Sequence, residues 1–238
     1  MRVLLMTDVH YTRNPACALS EGSVDTQAGR ESVDRVLRRH AGEADLIAFL
    51  GDITDIPDDA GALDDLDRVV APARRRAAPV LFVRGNHDVA ADEFFRITRS
   101  PDSLVLGEYL FFPFRDEFEA DGHSTRPETE WVRFAAAARA YPGKRLVALQ
   151  HPVIVPQVDD PYPYNLTGAQ EAALRYRDAG VTVSISGHFH AGISLARHEG
   201  VAYVTVPALS EAPFRYALLD LDPEIRLSIY DLSPQEVQ

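Results

Sequence analysis

Five short segments of this chain carry residues suited to holding metal ions: Asp8-Val9-His10, Gly51-Asp52-Ile53-Thr54-Asp55, Gly85-Asn86-His87-Asp88, His151 and Gly187-His188-Phe189-His190. Carboxylate and amide oxygens together with imidazole nitrogens suit borderline divalent or trivalent ions such as Mn, Fe or Zn, and the lack of thiolates argues against a structural zinc site. Singly, each segment has an ordinary explanation, since Asp and Asn are common in turns and a lone His is usually satisfied or solvated. Together they do not. Of the eight histidines, His10, His87, His151, His188 and His190 fall in these segments, and only His40, His123 and His198, expected on the surface, lie elsewhere. The donors Asp8, His10, Asp52, Asn86, His151, His188 and His190 are too many for one tetrahedral ion and suffice for two ions sharing a carboxylate. Two divalent ions, offset by Asp8, Asp52 and one hydroxide, leave a charge of about +1 to attract a phosphate ester. Asn86 matters to that sum, because an aspartate there would cancel the remainder.

Each segment closes an apolar run: "RVLLM" (2–6), "LIAFLG" (46–51), "VLFVRG" (80–85), "LVALQ" (146–150) and "VTVSISG" (181–187). Runs of this length and composition read as strands buried on both faces. Helical spacing predicts helices over 29–41, 59–76, 127–141 and 167–179, with capping-box spacing from Thr125 to Glu128 and from Thr167 to Gln170. Such alternation implies crossover connections and sheets covered by helices, with the carboxyl ends of the strands gathering loops at one edge. The closely spaced runs "VAYVTVPAL", "YALLDL" and "IRLSIYDL" predict a mixed or second, more antiparallel sheet in the last third. The fold class expected is therefore α/β, a two-sheet β-sandwich flanked by helices, as one domain over 1–238.

Composition narrows the partners. With 46% hydrophobic and 25% charged residues in 238, the chain is ordinary for a globular protein with a sizeable core. A net charge of -12 repels phosphate backbones, so no extended nucleic acid is expected. The single cysteine, Cys17, excludes an internal disulfide and reads as an incidental free thiol of a reducing compartment. "RVLLM" is too short for a signal segment or a membrane span, so a cytoplasmic protein without membrane attachment is expected.

In their order, the five segments resemble the signature of the calcineurin-like metallophosphoesterase superfamily, over residues 8 to 190. The resemblance implies a four-layer αββα sandwich with a dinuclear centre at the strand ends. Carried over by position, it implies Asp8, His10, Asp52 and His190 around one ion, Asp52 bridging, and Asn86, His151 and His188 completing the second, with manganese or iron as the metals and zinc also accepted. It implies, too, that His87 stays uncoordinated as a catalytic residue, stabilising the transition state or protonating the leaving oxygen, with Asp55 orienting it. For Asp88 it leaves open a loop-capping or outer carboxylate and a direct catalytic part. Asp55 stands where purple acid phosphatases have a tyrosine ligand, and Ile56 where phosphoprotein phosphatases have an arginine; the whole combination is most similar to class III cyclic-nucleotide phosphodiesterases. The activity implied is hydrolysis of small nucleotide or cyclic-nucleotide phosphodiesters, with a phosphomonoesterase on the same site and a non-catalytic interaction module as alternatives. The partner expected is a small phosphoester, contacted by Asn86, His87 and, in the loop "PVIVPQVDDPYPYNLTG", Asn165, with Tyr162 and Tyr164 placed to stack on a base or merely to stiffen the loop. "TRNPACALSEGS" and "RDEFEADGH" are candidate rims. Physiological substrate, metal identity and oligomeric state stay open, a homodimer included.

Overall fold

The computed structural model describes residues 1–19, 22–57 and 60–232. In chain order the elements are β1 (Arg2–Met6), α1 (Gly29–His40), β2 (Leu46–Leu50), α2 (Ala62–Arg74), β3 (Val80–Val83), α3 (Ala91–Thr98), β4 (Leu104–Leu106), β5 (Tyr109–Pro113), β6 (Glu117–Phe118), β7 (Ser124–Thr125), α4 (Glu128–Ala140), β8 (Arg145–Leu149), α5 (Ala169–Ala179), β9 (Val181–Ser186), β10 (Ile193–His198), β11 (Val201–Thr205), β12 (Arg215–Asp220) and β13 (Arg226–Asp231). They form a five-stranded sheet in the order β13-β12-β1-β2-β3, a six-stranded sheet in the order β10-β11-β9-β8-β5-β4, and a small β6-β7 ribbon.

Both large sheets are mixed: the five-stranded one is parallel from β1 to its β3 edge and antiparallel over β1, β12 and β13, and the six-stranded one is parallel at its centre and antiparallel at both edges. β1, β2 and β3 pair in parallel with Leu4 opposite Ile47 and Ile47 opposite Val80. In the other sheet β5, β8, β9 and β11 are parallel. Alternate residues of one strand serve two cores. Leu5, Ala48, Val83, Phe111, Val147 and Ile185 meet between the sheets. Leu4, Ile47 and Phe82 instead face Val33, Val36, Leu37, Leu66 and Val69 of the first two helices, and Leu110, Phe112 and Ala148 face Phe134, Ala172 and Tyr176 of the last two. That is the αββα layering expected of strands buried on both faces.

All five expected strands and all four expected helices form, within a few residues of the predicted bounds. Asp59, expected to open α2, lies outside the described residues, as do Ser20, Glu21 and the Cys17 side chain. Several features differ from expectation. Neither capping box forms: Pro127 and Gly168 occupy the N-cap positions of α4 and α5, with no side-chain capping bond. Of the two expectations for the C-terminal strands the mixed sheet is the one that forms: β10 and β11 extend one sheet while β12 and β13 extend the other. The five donor-bearing strands likewise divide between two sheets. Finally, His40 is buried, its Nε2 3.0 Å from the Tyr216 hydroxyl, whereas His123 and His198 are exposed.

Candidate metal centre

The carboxyl ends of β1, β2 and β3 meet those of β8 and β9 at the seam between the sheets, and main-chain bonds lock the junction. Asp8 N donates to Gly51 O at 3.0 Å, Val9 N and His10 N to Asp52 O at 2.8 and 2.9 Å, and Gly187 N to His151 O at 3.0 Å. Two further bonds cross the seam: His151 Nδ1 donates to Leu50 O at 2.6 Å and His188 N to Asp8 Oδ2 at 3.0 Å. Approach is so close that a Cβ on Gly85 would collide with Asp52, and one on Gly51, whose φ is 100°, with His151. Asp8, His10, Asp52 and His188 also have left-handed φ of 50°, 47°, 50° and 69°. Backbone strain of this kind persists only where the surroundings over-determine it, and it clusters at functional sites.

Six of the seven expected donors come together, and the seventh, Asn86, lines the same cleft. Within reach of common points lie Asp8, Asp52, His151 and His188 in one group and Asp8, His10 and His190 in another. His151 Nε2 is 3.1 Å and His10 Nε2 3.7 Å from Asp52 Oδ2, and His190 Nε2 is 3.4 Å from Asp8 Oδ1. Four buried atoms among these residues make no hydrogen bond of ordinary geometry: Asn86 Oδ1 and His188 Nε2, and also Asp8 Oδ1 and His151 Nε2, which face the charged partners His190 and Asp52. Buried polar atoms without a well-formed hydrogen bond are costly and uncommon, so a convergent set of four, all of them good donors to borderline cations, fits bound metal.

The ring nitrogens behind the centre are engaged. Asp55 Oδ1 accepts from His10 Nδ1 at 3.1 Å, Glu211 Oε1 accepts from His190 Nδ1 at 2.7 Å, and Leu50 O holds His151. Such outer bonds fix the tautomer and turn Nε2 toward a metal. Asp55 therefore serves His10 as well as His87: its carboxylate is 3.6 Å from His87 Nδ1, which donates to the Asp55 main-chain carbonyl at 3.2 Å. Glu211 went unpredicted because it lies outside the five segments, reaching the site through a loop held by Leu209 N to Thr7 O, 3.0 Å, and Ser210 N to Asp8 O, 3.1 Å. Asp88 is buried and accepts from Ile53 N, Thr54 N and Gly85 N at 2.8 to 2.9 Å, which makes it a clamp between two donor loops.

Asn165 is not at the site. Its Oδ1 accepts from Val158 N and its Nδ2 donates to Val158 O, both at 2.8 Å, so the amide is consumed within its own loop. Tyr162 and Tyr164 do reach the cleft, with ring centroids 5.6 and 5.3 Å from that of His188, and Tyr162 Oη accepts from Asn86 Nδ2 at 3.3 Å. The cleft, about 760 Å³, is also lined by His10, His87, His190, Glu119, Asp121 and Glu211. Of the rim segments, "RDEFEADGH" contributes Glu119 to Gly122 and "TRNPACALSEGS" contributes Leu19.

The charges are strongly coupled. Burial pushes Asp52 up, but the charges of His151 and His87 outweigh it and hold the carboxylate well below its ordinary range. Burial likewise opposes ionisation of Asp8, yet its bond and charge interaction with His190 hold it down to about 2. The same pairs work on the bases: burial disfavours protonated His151 and His190, but Asp52 raises the first, and Asp8 with Glu211 the second, each to about 9. His188, buried beside charged His151, is pushed down to about 3. Burial and the neighbouring Asp52 push Asp88 up. The sequence-level sum of about +1 is thus too positive, because Asp55, Asp88 and Glu211 also surround the centre.

Solved structures share this architecture, although no curated protein matches the chain. A dimetal phosphatase from Danio rerio is similar over 98% of this chain and 97% of its own, with a TM-score of 0.76 at 14% identity. The protein TT1561 of Thermus thermophilus is similar over 97% and 98%, with a TM-score of 0.68 at 16% identity. The purple acid phosphatase PPD1 from yellow lupin seeds covers 100% of this chain with 55% of its own, at TM-score 0.58 and 11% identity. At such identities these likenesses speak for the fold. The family model of calcineurin-like phosphoesterases matches residues 1–192, which include every expected donor of the centre, and the chain belongs to that family.

Proposed function

We propose that this chain is a dinuclear-metal-dependent phosphodiesterase acting on small phosphodiesters, nucleotide and cyclic-nucleotide diesters among them. The observation that carries metal dependence is the convergence of buried carboxylate and imidazole atoms on one seam, four of the donor atoms there lacking a well-formed hydrogen bond. The description of the Danio rerio neighbour as a dimetal phosphatase fits the same reading. In this assignment Asp8, His10, Asp52 and His190 hold one ion and Asp52, Asn86, His151 and His188 the other, as manganese or iron, with zinc also suited to the donors. When bound, two such ions supply a water of lowered pKa, neutralise phosphoryl charge and orient the ester for in-line displacement.

The protein's own groups do the rest. Asp55 and Glu211 orient His10 and His190, and Leu50 O orients His151. His87 lines the cleft with Nδ1 held by the Asp55 carbonyl, so its Nε2 is the atom that exchanges a proton with the leaving oxygen or bonds a phosphoryl oxygen. Tyr162 and Tyr164 offer aromatic faces to the remainder of the substrate.

Diester over monoester is favoured by the lining itself. Among the described residues of the cleft there is no lysine or arginine, the groups that usually pair with a dianionic phosphate, and Glu119, Asp121 and Glu211 add carboxylates to that of Asp52. The test is hydrolysis of bis(p-nitrophenyl) phosphate and p-nitrophenyl phosphate by metal-stripped protein reconstituted with Mn²⁺, with metal counted per chain. Two ions and a faster diester rate are expected. A faster monoester rate would replace the reading with a phosphomonoesterase, and metal uptake without turnover would replace it with an interaction module.

A further inference from the structure

The cleft has a wall that belongs to neither the centre nor its supporting loops. The turn between β6 and β7 brings Glu119, Ala120, Asp121 and Gly122 to it. This turn is closed by Glu119 N donating to His123 O at 2.8 Å and Gly122 N to Glu119 O at 3.0 Å. Tyr162 rests against it so closely that a Cβ on Gly122 would lie 2.9 Å from Tyr162 Oη, the same oxygen that receives Asn86 Nδ2. One tyrosine therefore ties an acidic turn to a residue of the proposed centre, and its two carboxylates stand exposed at the rim of the cleft. Asp121 accepts from His123 N at 3.1 Å and lies 3.0 Å from His123 Nδ1, bonds that favour its charged form. Glu211 faces the same space, and no described lining residue is lysine or arginine.

A phosphodiester carries one negative charge, whereas a monoester carries close to two at neutral pH. Carboxylates at the exposed rim of a cleft repel the second species more than the first, by an amount that salt screens. We propose that Glu119 and Asp121 are specificity-determining residues that reject the doubly charged monoester, so that hydrolysis ends after one ester bond. This rests on the phosphodiesterase reading and adds to it a reason for stopping. The step consumes one water: its oxygen forms the new P–O bond, one ester P–O bond breaks, and one water hydrogen ends on the departing alcohol. The monoester left behind ionises further, is repelled by the rim, and leaves. A separate phosphomonoesterase reaction must then consume it.

The test compares the metal-loaded parent with Glu119→Gln/Asp121→Asn, on bis(p-nitrophenyl) phosphate and on p-nitrophenyl phosphate. The ratio of kcat/KM for monoester over diester is expected to rise roughly threefold in the variant, mostly through the monoester KM. Inhibition of diester cleavage by added p-nitrophenyl phosphate is expected to tighten in parallel. The parent alone provides a second reading independent of the variant's folding: raising ionic strength should lower the monoester KM more steeply than the diester KM. If the parent cleaves diesters faster but a natively melting variant leaves the ratio unchanged, and salt moves both KM values alike, the rim is not selective and this inference falls while the phosphodiesterase reading stands. If the parent prefers the monoester, that reading falls first and this inference with it.

Discussion

With no ion bound, His151 and His190 each keep a proton at neutral pH because carboxylates face them, and a metal must displace both. Uptake is therefore expected to release about two protons per chain near pH 7 and to strengthen as pH rises toward 9, which calorimetry in buffers of different ionisation enthalpy would reveal. The same shifts set the stability of the metal-free protein. Both folded values, about 9, exceed the ordinary 6.5, so their contribution is full below pH 6.5 and lost as pH climbs through 9. Asp8 works the other way: held to about 2 against an ordinary 3.8, it stabilises above pH 3.8 and fails as pH falls through 2. Denaturant midpoints of chelated protein should decline between pH 6.5 and 9, and a flat profile would contradict the pairing. His87→Ala should cut kcat by about 10² to 10⁴ with metal content and melting unchanged, whereas Asn86→Ala should lose bound metal as well. Parallel loss of folding and activity in His87→Ala would remove it from the chemistry. Residue types and order were enough to pick out the seven residues gathered at the seam and its cleft. Asp55's second partner, His10, and Glu211 were hidden, because which carboxylate backs which imidazole depends on loop paths and not on spacing.

At the level of elements, five predicted strands and four helices formed because each carried its own period and apolar run. β5 was overlooked although "YLFFP" is fully buried, and α3 because its eight residues are too few to display a period. The capping boxes failed for a local reason: glycine and proline hold the positions where the hydroxyl would have to act. What no single strand could disclose is the split of the donors between two sheets, since pairing partners are decided by packing across the seam. Two substitutions separate packing from site geometry. Phe111→Ala, between the sheets, should destabilise by about 3 to 5 kcal/mol while the folded fraction still binds metal. Gly51→Ala removes no core surface but meets His151 at a φ of 100°, and should lower metal affinity out of proportion to its loss of stability. Metal titration of the two variants, alongside urea unfolding, would show whether these effects part.

For the molecule as a whole, ligand linkage and charge dominate. An ion that binds only the folded chain raises its melting temperature with concentration, so chelation should lower the midpoint and Mn²⁺ should restore it in a dose-dependent way. The net charge of -12 bears on encounter: it draws cations in and slows anionic substrates, an effect that salt should relieve. Among the described residues no helix is long and apolar enough to cross a membrane. The division of the donors across the seam has a kinetic side as well. Asp8 and His190 lie 182 positions apart in the chain, yet they must sit 3.4 Å from one another before the tighter geometry exists. Closure of so long a loop comes late in folding. A growing chain exposes Asp8, His10 and Asp52 long before His188 and His190 have been made, so it has scattered donors but no chelate. The assembled centre thus acts as a timer, admitting a metal pair only once both sheets have docked, and metal capture during refolding should lag behind the recovery of secondary structure.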